Sequence, residues 1–151
     1  MSEQIVKQPE PSLQIALARS YAVYFVFSVI GLFADTIYPI GTPTPHGQWV
    51  AILCFIVGPL IIWWAQATSS EQSTVPYFER GPYRYLRNPT QIGILILVGG
   101  YAAVSGSMVF LCASIIGYFI SDIFFKRYEA ILHRHYGQQY AQYKDNVPKI
   151  L

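Results

Sequence analysis

Charged residues are scarce in this 151-residue chain, since only 12% of its residues are Asp, Glu, Lys or Arg. Soluble globular proteins carry about 25% charged residues, so the composition excludes an ordinary soluble domain. The net charge is only +2. No basic run with interleaved aromatic residues is present, and we therefore expect no nucleic-acid partner.

Cysteine and the common catalytic motifs are equally scarce. Cys54 and Cys112 are the two cysteines, and both lie in apolar stretches, so we interpret them as small buried hydrophobic residues. His133 and His135 are two positions apart and would point to nearly opposite sides of a helix, so we expect no metal site. The sequence has no glycine-rich phosphate-binding loop and no Ser-His-Asp grouping, and it predicts no soluble nucleotide-binding sheet.

Long apolar segments occupy most of the chain, which is 53% hydrophobic with a mean hydropathy of +0.34. Residues 13–39 and 49–67 each predict one transmembrane helix, because 19 uncharged residues span roughly 28 Å, close to the thickness of the hydrocarbon core. Residues 91–125 would form a helix of roughly 52 Å, too long for one span. The small polar turn at residues 105–107 therefore predicts a hairpin of two short or tilted helices.

The distribution of basic residues predicts the orientation of these spans. With four spans, the groups around Arg19, around Arg84 and in the C-terminal tail all lie on one face, whereas residues 40–48 and 105–107 contain no Lys or Arg. The positive-inside rule then places both termini in the cytoplasm. The polar N-terminus, which includes Lys7, is not typical of a cleaved signal peptide.

We thus predict an all-α polytopic membrane protein with about four transmembrane helices, folded as a single domain over residues 1–151. After the fourth span, the pattern predicts a helix that continues into the cytoplasm and ends at Gly137 in a left-handed cap. A shorter helix before Pro148 completes a C-terminal cytoplasmic helical extension.

The start of the third span has the composition of an anion site. Asn88 is a favourable N-cap and Pro89 fits the first helical position. The free backbone N–H groups and the positive end of the helix dipole would lie beside Arg84 and Arg87 at the cytoplasmic interface. Gly93, one turn later, would allow a ligand or a neighbouring helix to approach closely. The alternative, that the arginines only contact lipid headgroups, stays open.

Two acidic residues near the end of the fourth span are also candidates. Glu129 could receive the positive charge of a bound cofactor or neutralise the arginine group. Its alternative is a surface pair with His133 or Lys126. For Asp122 we favour a helical pair with Lys126 at i+4.

Two motifs in the C-terminal half of the chain resemble sequence patterns of a known protein family. The stretch G-P-Y-R-Y-L-R-N-P-T-Q-I-G at residues 81–93 resembles the R-H/N-P-x-Y-x-G signature of the isoprenylcysteine carboxyl methyltransferase and phospholipid methyltransferase superfamily. The tail at residues 129–148 is similar to that family's E-E-x-x-L, F-G, Y-x-x-Y and V-P pattern. The motif-bearing part covers residues 78–151. Two positions depart from the pattern, because Gln91 replaces a tyrosine and Tyr128 replaces the first glutamate.

The resemblance implies an integral-membrane enzyme that binds S-adenosylmethionine near the cytoplasmic interface. It would methylate a lipid or lipid-modified acceptor, either an isoprenylcysteine carboxylate or a phospholipid-like molecule. It implies catalytic roles for Arg87 and Glu129. Including the adjoining anion site, the predicted cofactor-binding residues are Tyr83, Arg84, Asn88, Pro89, Gly93, Glu129, Tyr140 and Tyr143.

Two other functions remain open at this point. A membrane-embedded NADPH-dependent lipid or sterol reductase would bind a nucleotide phosphate with the same arginines. A non-catalytic membrane protein could retain the pocket for binding or assembly, as the departures at Gln91 and Tyr128 would permit.

Overall fold

The structure, a computed structural model, describes residues 11–38, 40–42, 45–70 and 76–148. Lys7 and Lys149 of the predicted basic groups lie outside these residues. The described helices are α1 (Pro11–Ile37), α2 (Gly47–Ser70), α3 (Pro89–Ser105), α4 (Met108–Tyr136) and α5 (Gln138–Asn146), with short 3₁₀ helices at Tyr77–Glu79 and Gly81–Arg84. No strand occurs in these ranges, and the all-helical prediction is confirmed.

Among the described residues, three helices are long and apolar enough to cross a membrane: α1 from Ile15, α2 and α4. Helix α3 has 17 residues and is about 25 Å long. Large apolar side chains point outward, including Phe25 and Trp63, both 69% exposed, and Phe119, which is 61% exposed. A lipid environment removes this surface from water, so we assign the chain as an integral membrane protein.

Local polar groups determine where the helices end. Helix α2 extends to Ser70, beyond the predicted apolar block, and Thr68, Ser69 and Ser70 in its last turn each donate a hydroxyl hydrogen bond to a backbone carbonyl three or four residues earlier. The predicted break between α3 and α4 is confirmed. Gly106 ends α3 at φ +70°, and the Ser107 hydroxyl accepts a hydrogen bond of 3.0 Å from the Phe110 amide at the start of α4.

The four long helices form two antiparallel pairs, α1 with α4 and α2 with α3. In the first pair, the buried hydroxyls of Ser20 and Ser121 lie 2.7 Å apart, while the Ser107 hydroxyl donates to Asp35 at 2.5 Å near the other end. Because early residues of α1 meet late residues of α4, the two helices run in opposite directions. Polar contacts of this kind stabilise helix pairs that cannot gain hydrophobic free energy within lipid.

Glycine allows α2 and α3 to approach closely. A Cβ atom on Gly93 would lie 2.6 Å from the Ile62 side chain and 2.8 Å from the Gly58 carbonyl oxygen. Gly93 therefore serves the contact with a neighbouring helix, which was one of its two predicted uses.

The prediction that both cysteines are buried is wrong, since Cys112 is exposed and Cys54 is only half-buried. Apolar character alone does not distinguish a side chain that faces lipid from one that faces protein.

These pairings bring four parts of the chain to one end of the bundle: the start of α1, the 3₁₀ segment after α2, the start of α3 and the final turns of α4. The predicted continuation of α4 to Gly137 and the following short helix α5 are both confirmed. Gly137 ends the helix with a positive φ of +55°, but its ψ of −126° differs from that of the predicted left-handed cap. An aromatic core at this end joins α4 and α5 to the 3₁₀ segment and includes Phe78, Phe125 and Tyr140.

We predict that Gly93→Ala destabilises the protein. The added methyl group overpacks the contact between α2 and α3, which costs about 1–3 kcal/mol. Thermal unfolding in detergent should occur at a lower temperature than in the parent protein. Gly99→Ala is the matched control on the same helix, because a Cβ atom there has no neighbour within 4 Å. Equal melting temperatures for the two variants would contradict this account of the packing.

Candidate active site

A cleft lies between the start of α1, the 3₁₀ segment, the start of α3, the end of α4 and α5. Its space amounts to about 340 Å³ when the solvent in its open mouth is included. Its lining residues are Leu17, Tyr21, Tyr77, Phe78, Tyr83, Arg87, Asn88, Phe125, Tyr128, Leu132, Tyr140 and Tyr143.

Aromatic rings form most of the cleft wall. Phe78 is at the centre of this wall, with ring centroids 5.0 Å from Tyr136, 5.4 Å from Tyr140 and 5.1 Å from Tyr143. Tyr77 packs edge-on against Tyr83 at 5.1 Å. The faces of such rings carry partial negative charge, so the wall suits a compact cation.

Arg87 joins the start of α3 to the end of α5. Its Nε donates to the Val147 carbonyl at 2.7 Å, and its Nη2 donates to the Lys144 carbonyl at 2.5 Å. These are carbonyls at the C-terminal end of α5, which has no further helical turn to satisfy them. The positive guanidinium also complements the negative end of the α5 dipole. Arg87 therefore holds α5, and with it one wall of the cleft, in place.

Glu129 is a buried carboxylate between two cations. It is 6% exposed, and its oxygens lie 3.7 Å from Arg87 Nη1 and 3.7 Å from Lys144 Nζ. Within the described part of the chain, Glu129 thus pairs with these residues rather than with His133 or Lys126. The predicted proximity of Glu129 to the arginine group is confirmed. Among the described residues its Oε1 accepts no hydrogen bond, which leaves acceptor capacity for a ligand.

The expected pair of Asp122 and Lys126 is also confirmed, with 3.5 Å between Asp122 Oδ2 and Lys126 Nζ. This pair is separate from the carboxylate of Glu129.

The predicted N-cap and first residue of α3 are confirmed. Asn88 caps the helix by accepting a hydrogen bond of 3.4 Å from the Gln91 amide, and Pro89 is the first helical residue. In a capping box the Gln91 side chain would accept a hydrogen bond from the Asn88 backbone amide. Here the Gln91 side chain is hydrogen-bonded to the Asn88 side chain instead. Tyr21 of α1 also donates to Asn88 Oδ1 at 3.4 Å, which fixes Asn88 at the edge of the cleft.

The tyrosine hydroxyls around the cleft act as neutral hydrogen-bonding groups. Burial raises the pKa values of Tyr77, Tyr83, Tyr140 and Tyr143 above the usual value for a phenol. Tyr143 donates to the Tyr83 carbonyl at 2.8 Å, which links α5 to the 3₁₀ segment. The Tyr77 hydroxyl is hydrogen-bonded to that of Tyr128, so an uncharged pair lies where the family signature has a second carboxylate.

The structure brings together most of the predicted site residues. The lining includes Tyr83, Arg87, Asn88, Tyr140 and Tyr143, and Glu129 adjoins it through its pair with Arg87.

Besides Glu129, which adjoins the cleft, three predicted residues do not line it. Arg84 is exposed on the second 3₁₀ helix, and Pro89 is buried at the start of α3. Gly93 lies against α2, one turn beyond the cleft.

Sequence reasoning did not identify Tyr21, Tyr77, Phe78 or Lys144 as site residues. The aromatic pair at positions 77–78, directly before the G-P turn, was the one local signal available. The sequence gave no such signal for Lys144, because its ion pair with Glu129 depends on how α5 folds back at Gly137.

Comparison with known proteins supports the resemblance seen in the two motifs. A family model described as phospholipid methyltransferase matches residues 46–139, more than half of the chain. The matched region runs from just before α2 into the first turn of α5. No curated protein and no solved structure matches the chain.

We predict that Arg87→Lys loosens α5 while preserving the charge. A lysine cannot reproduce the two parallel donors of the guanidinium, and loss of these hydrogen bonds costs about 2 kcal/mol. Amide hydrogen exchange within α5 should accelerate roughly 30-fold, since each 1.4 kcal/mol is about a factor of ten. Arg84→Lys is the control because its side chain is exposed outside the cleft. Equal exchange rates in the two variants would show that Arg87 does not hold the helix.

Proposed function

Because this chain belongs to the phospholipid methyltransferase family, we propose that it transfers a methyl group from S-adenosylmethionine to a lipid or lipid-modified acceptor at the cytoplasmic interface of the membrane. The isoprenylcysteine carboxylate and the phospholipid headgroup are the two acceptor types in this proposal. The observation that carries it is the buried Glu129 carboxylate beside an aromatic cleft. That arrangement suits the sulfonium cation of the cofactor.

The residues present fit this cofactor chemically. Glu129 Oε1 is buried and accepts no hydrogen bond among the described residues, so it can face a cation. The rings of Tyr140 and Tyr143 add negative faces close by, and Tyr140 is only 2% exposed. The start of α3, with Asn88 and Arg87, provides the complementary positive end for a carboxylate.

Held beside Glu129 and the rings of Tyr140 and Tyr143, the cofactor would supply an electrophilic methyl group on its sulfonium sulfur, and the acceptor would supply the lone pair. The protein contributes orientation and exclusion of water. Its aromatic walls fix a narrow cleft, which in this proposal the acceptor enters from lipid and the cofactor enters from the cytoplasm. Catalysis then derives mainly from holding the two reactants in line.

Within this proposal, Glu129 contacts the cofactor and Arg87 orients Glu129. Tyr83, Asn88, Tyr140 and Tyr143 line the cofactor cleft. The other three predicted residues act indirectly. Pro89 starts the helix that Asn88 caps, Gly93 sets the distance to α2, and Arg84 offers an exposed cation to a lipid phosphate. The list of proposed site residues is therefore Tyr83, Arg84, Arg87, Asn88, Pro89, Gly93, Glu129, Tyr140 and Tyr143.

We also propose that all four long helices span the membrane within one domain, with both termini cytoplasmic. The support is the antiparallel arrangement of both helix pairs, together with the position of the described basic residues. Arg19 and Arg134, for example, belong to the parts of α1 and α4 that lie at the end of the bundle with the cleft, and Arg87 lies just before α3. Residues 40–42 and 105–107, at the other end, contain no Lys or Arg.

We predict that the detergent-purified protein binds S-adenosylmethionine and that Glu129→Gln weakens binding at least about tenfold. The reason is loss of one charge-assisted contact, worth about 1.5–3 kcal/mol. Isothermal titration calorimetry measures the dissociation constants of the parent protein and of the variant. Glu79→Gln is the matched control, because it removes the same charge from an exposed position. Absence of binding by the parent protein would refute the proposed function, and equal weakening in both variants would refute the role of Glu129.

A further inference from the structure

We infer that Lys144 is a displaceable counter-ion of Glu129 and that it tunes how strongly the cleft prefers a cationic ligand over a neutral one. This inference rests on the proposed function, in which the cofactor is a sulfonium cation and the product is a neutral thioether. It assigns a role to a residue outside both sequence motifs.

The two cations beside Glu129 are held very differently. Both lie 3.7 Å from the carboxylate, but the Arg87 side chain is 16% exposed and is fixed by two backbone carbonyls of α5. The Lys144 side chain is 39% exposed. Its ammonium lies at the end of a flexible four-carbon stem. Of the two partners, only Lys144 can leave without dismantling the cleft wall.

The charges determine what happens when a cation enters. Glu129, Arg87 and Lys144 together carry a formal charge of +1, so a sulfonium beside them would raise the local charge to +2. Moving the Lys144 ammonium into water restores the lower charge. The move costs little, because ion pairs of partly exposed lysines contribute little free energy. The ligand cation, at the carboxylate oxygen Oε1 that accepts no hydrogen bond among the described residues, then replaces the ammonium as the second counter-charge of Glu129.

Methyl transfer reverses this exchange. Once the sulfur is neutral, the ligand no longer compensates Glu129, and the Lys144 ammonium can return to the carboxylate. A buried carboxylate without a sufficient counter-charge is costly in free energy. The returning Lys144 supplies that counter-charge, so Glu129 needs none from the product. Lys144 therefore opposes binding of the cofactor and leaves binding of the product unaffected.

Calorimetry with S-adenosylmethionine and with its demethylated product, S-adenosylhomocysteine, tests this role. In Lys144→Met and Lys144→Gln, the ratio of cofactor affinity to product affinity should rise about fivefold, the upper limit for a partly exposed ion pair. Lys144→Arg retains the charge and should retain the parent ratio. Lys126→Met is the matched control, since it removes one positive charge from an exposed side chain that pairs with Asp122.

The ratio of cofactor affinity to product affinity distinguishes this role from a structural one, because a damaged fold would weaken the binding of both ligands to the same extent. A ratio in the Lys144 variants equal to that of Lys126→Met would overturn the inference while leaving the proposed function intact. A parent protein that binds neither ligand would refute the proposed function and this inference with it.

Discussion

The hydrogen bonds from the Arg87 guanidinium to the last carbonyls of α5 are the contact on which the site depends. Helix α5 has only nine residues, and an isolated helix of that length is not stable in water. Tertiary contacts must therefore hold it, and Arg87 supplies two of them while its third nitrogen approaches Glu129. The same side chain thus fixes the wall that carries Tyr140 and Tyr143 and balances the buried carboxylate beside it.

The membrane imposes the second constraint. Within lipid, helices gain little from burying apolar surface against one another, so close packing and polar contacts must hold the bundle together. The contact of Gly58 with Gly93 and the Ser20–Ser121 pair meet this need. They also align the ends of four helices at one level, where the described basic residues gather. The scarce charge of the sequence is therefore concentrated where polar chemistry can occur.

Local chemistry made much of the architecture predictable. Asn88 as a cap, Gly106 as a break and Gly137 as a terminator act on their own neighbours, and each could be identified from a few residues. Contacts between distant residues could not be identified in this way. Tyr77 and Tyr128 are 51 positions apart, and Arg87 and Val147 are 60 apart. Their meeting depends on the pairing of whole helices. The error at Cys112 has a related cause, because lipid and protein interiors select the same apolar side chains.

The departure at Tyr128 also has a different meaning in the folded protein. In the sequence it removes a carboxylate, whereas in the structure its hydroxyl is hydrogen-bonded to that of Tyr77, and both residues line the cleft. Glu129 is thus left as the carboxylate at this wall of the cleft, and its two cations control the local charge. In the proposed site, selectivity would depend on the balance of these few charges beside the aromatic cleft.

Transfer of a labelled methyl group from S-adenosylmethionine into a membrane lipid extract, followed by identification of the product, tests the central claim most directly. The account predicts that the purified protein labels a lipid or lipid-modified acceptor and releases S-adenosylhomocysteine in equal amount. Cofactor binding without any labelled lipid, across extracts that contain both phospholipids and prenylated cysteine, would contradict it.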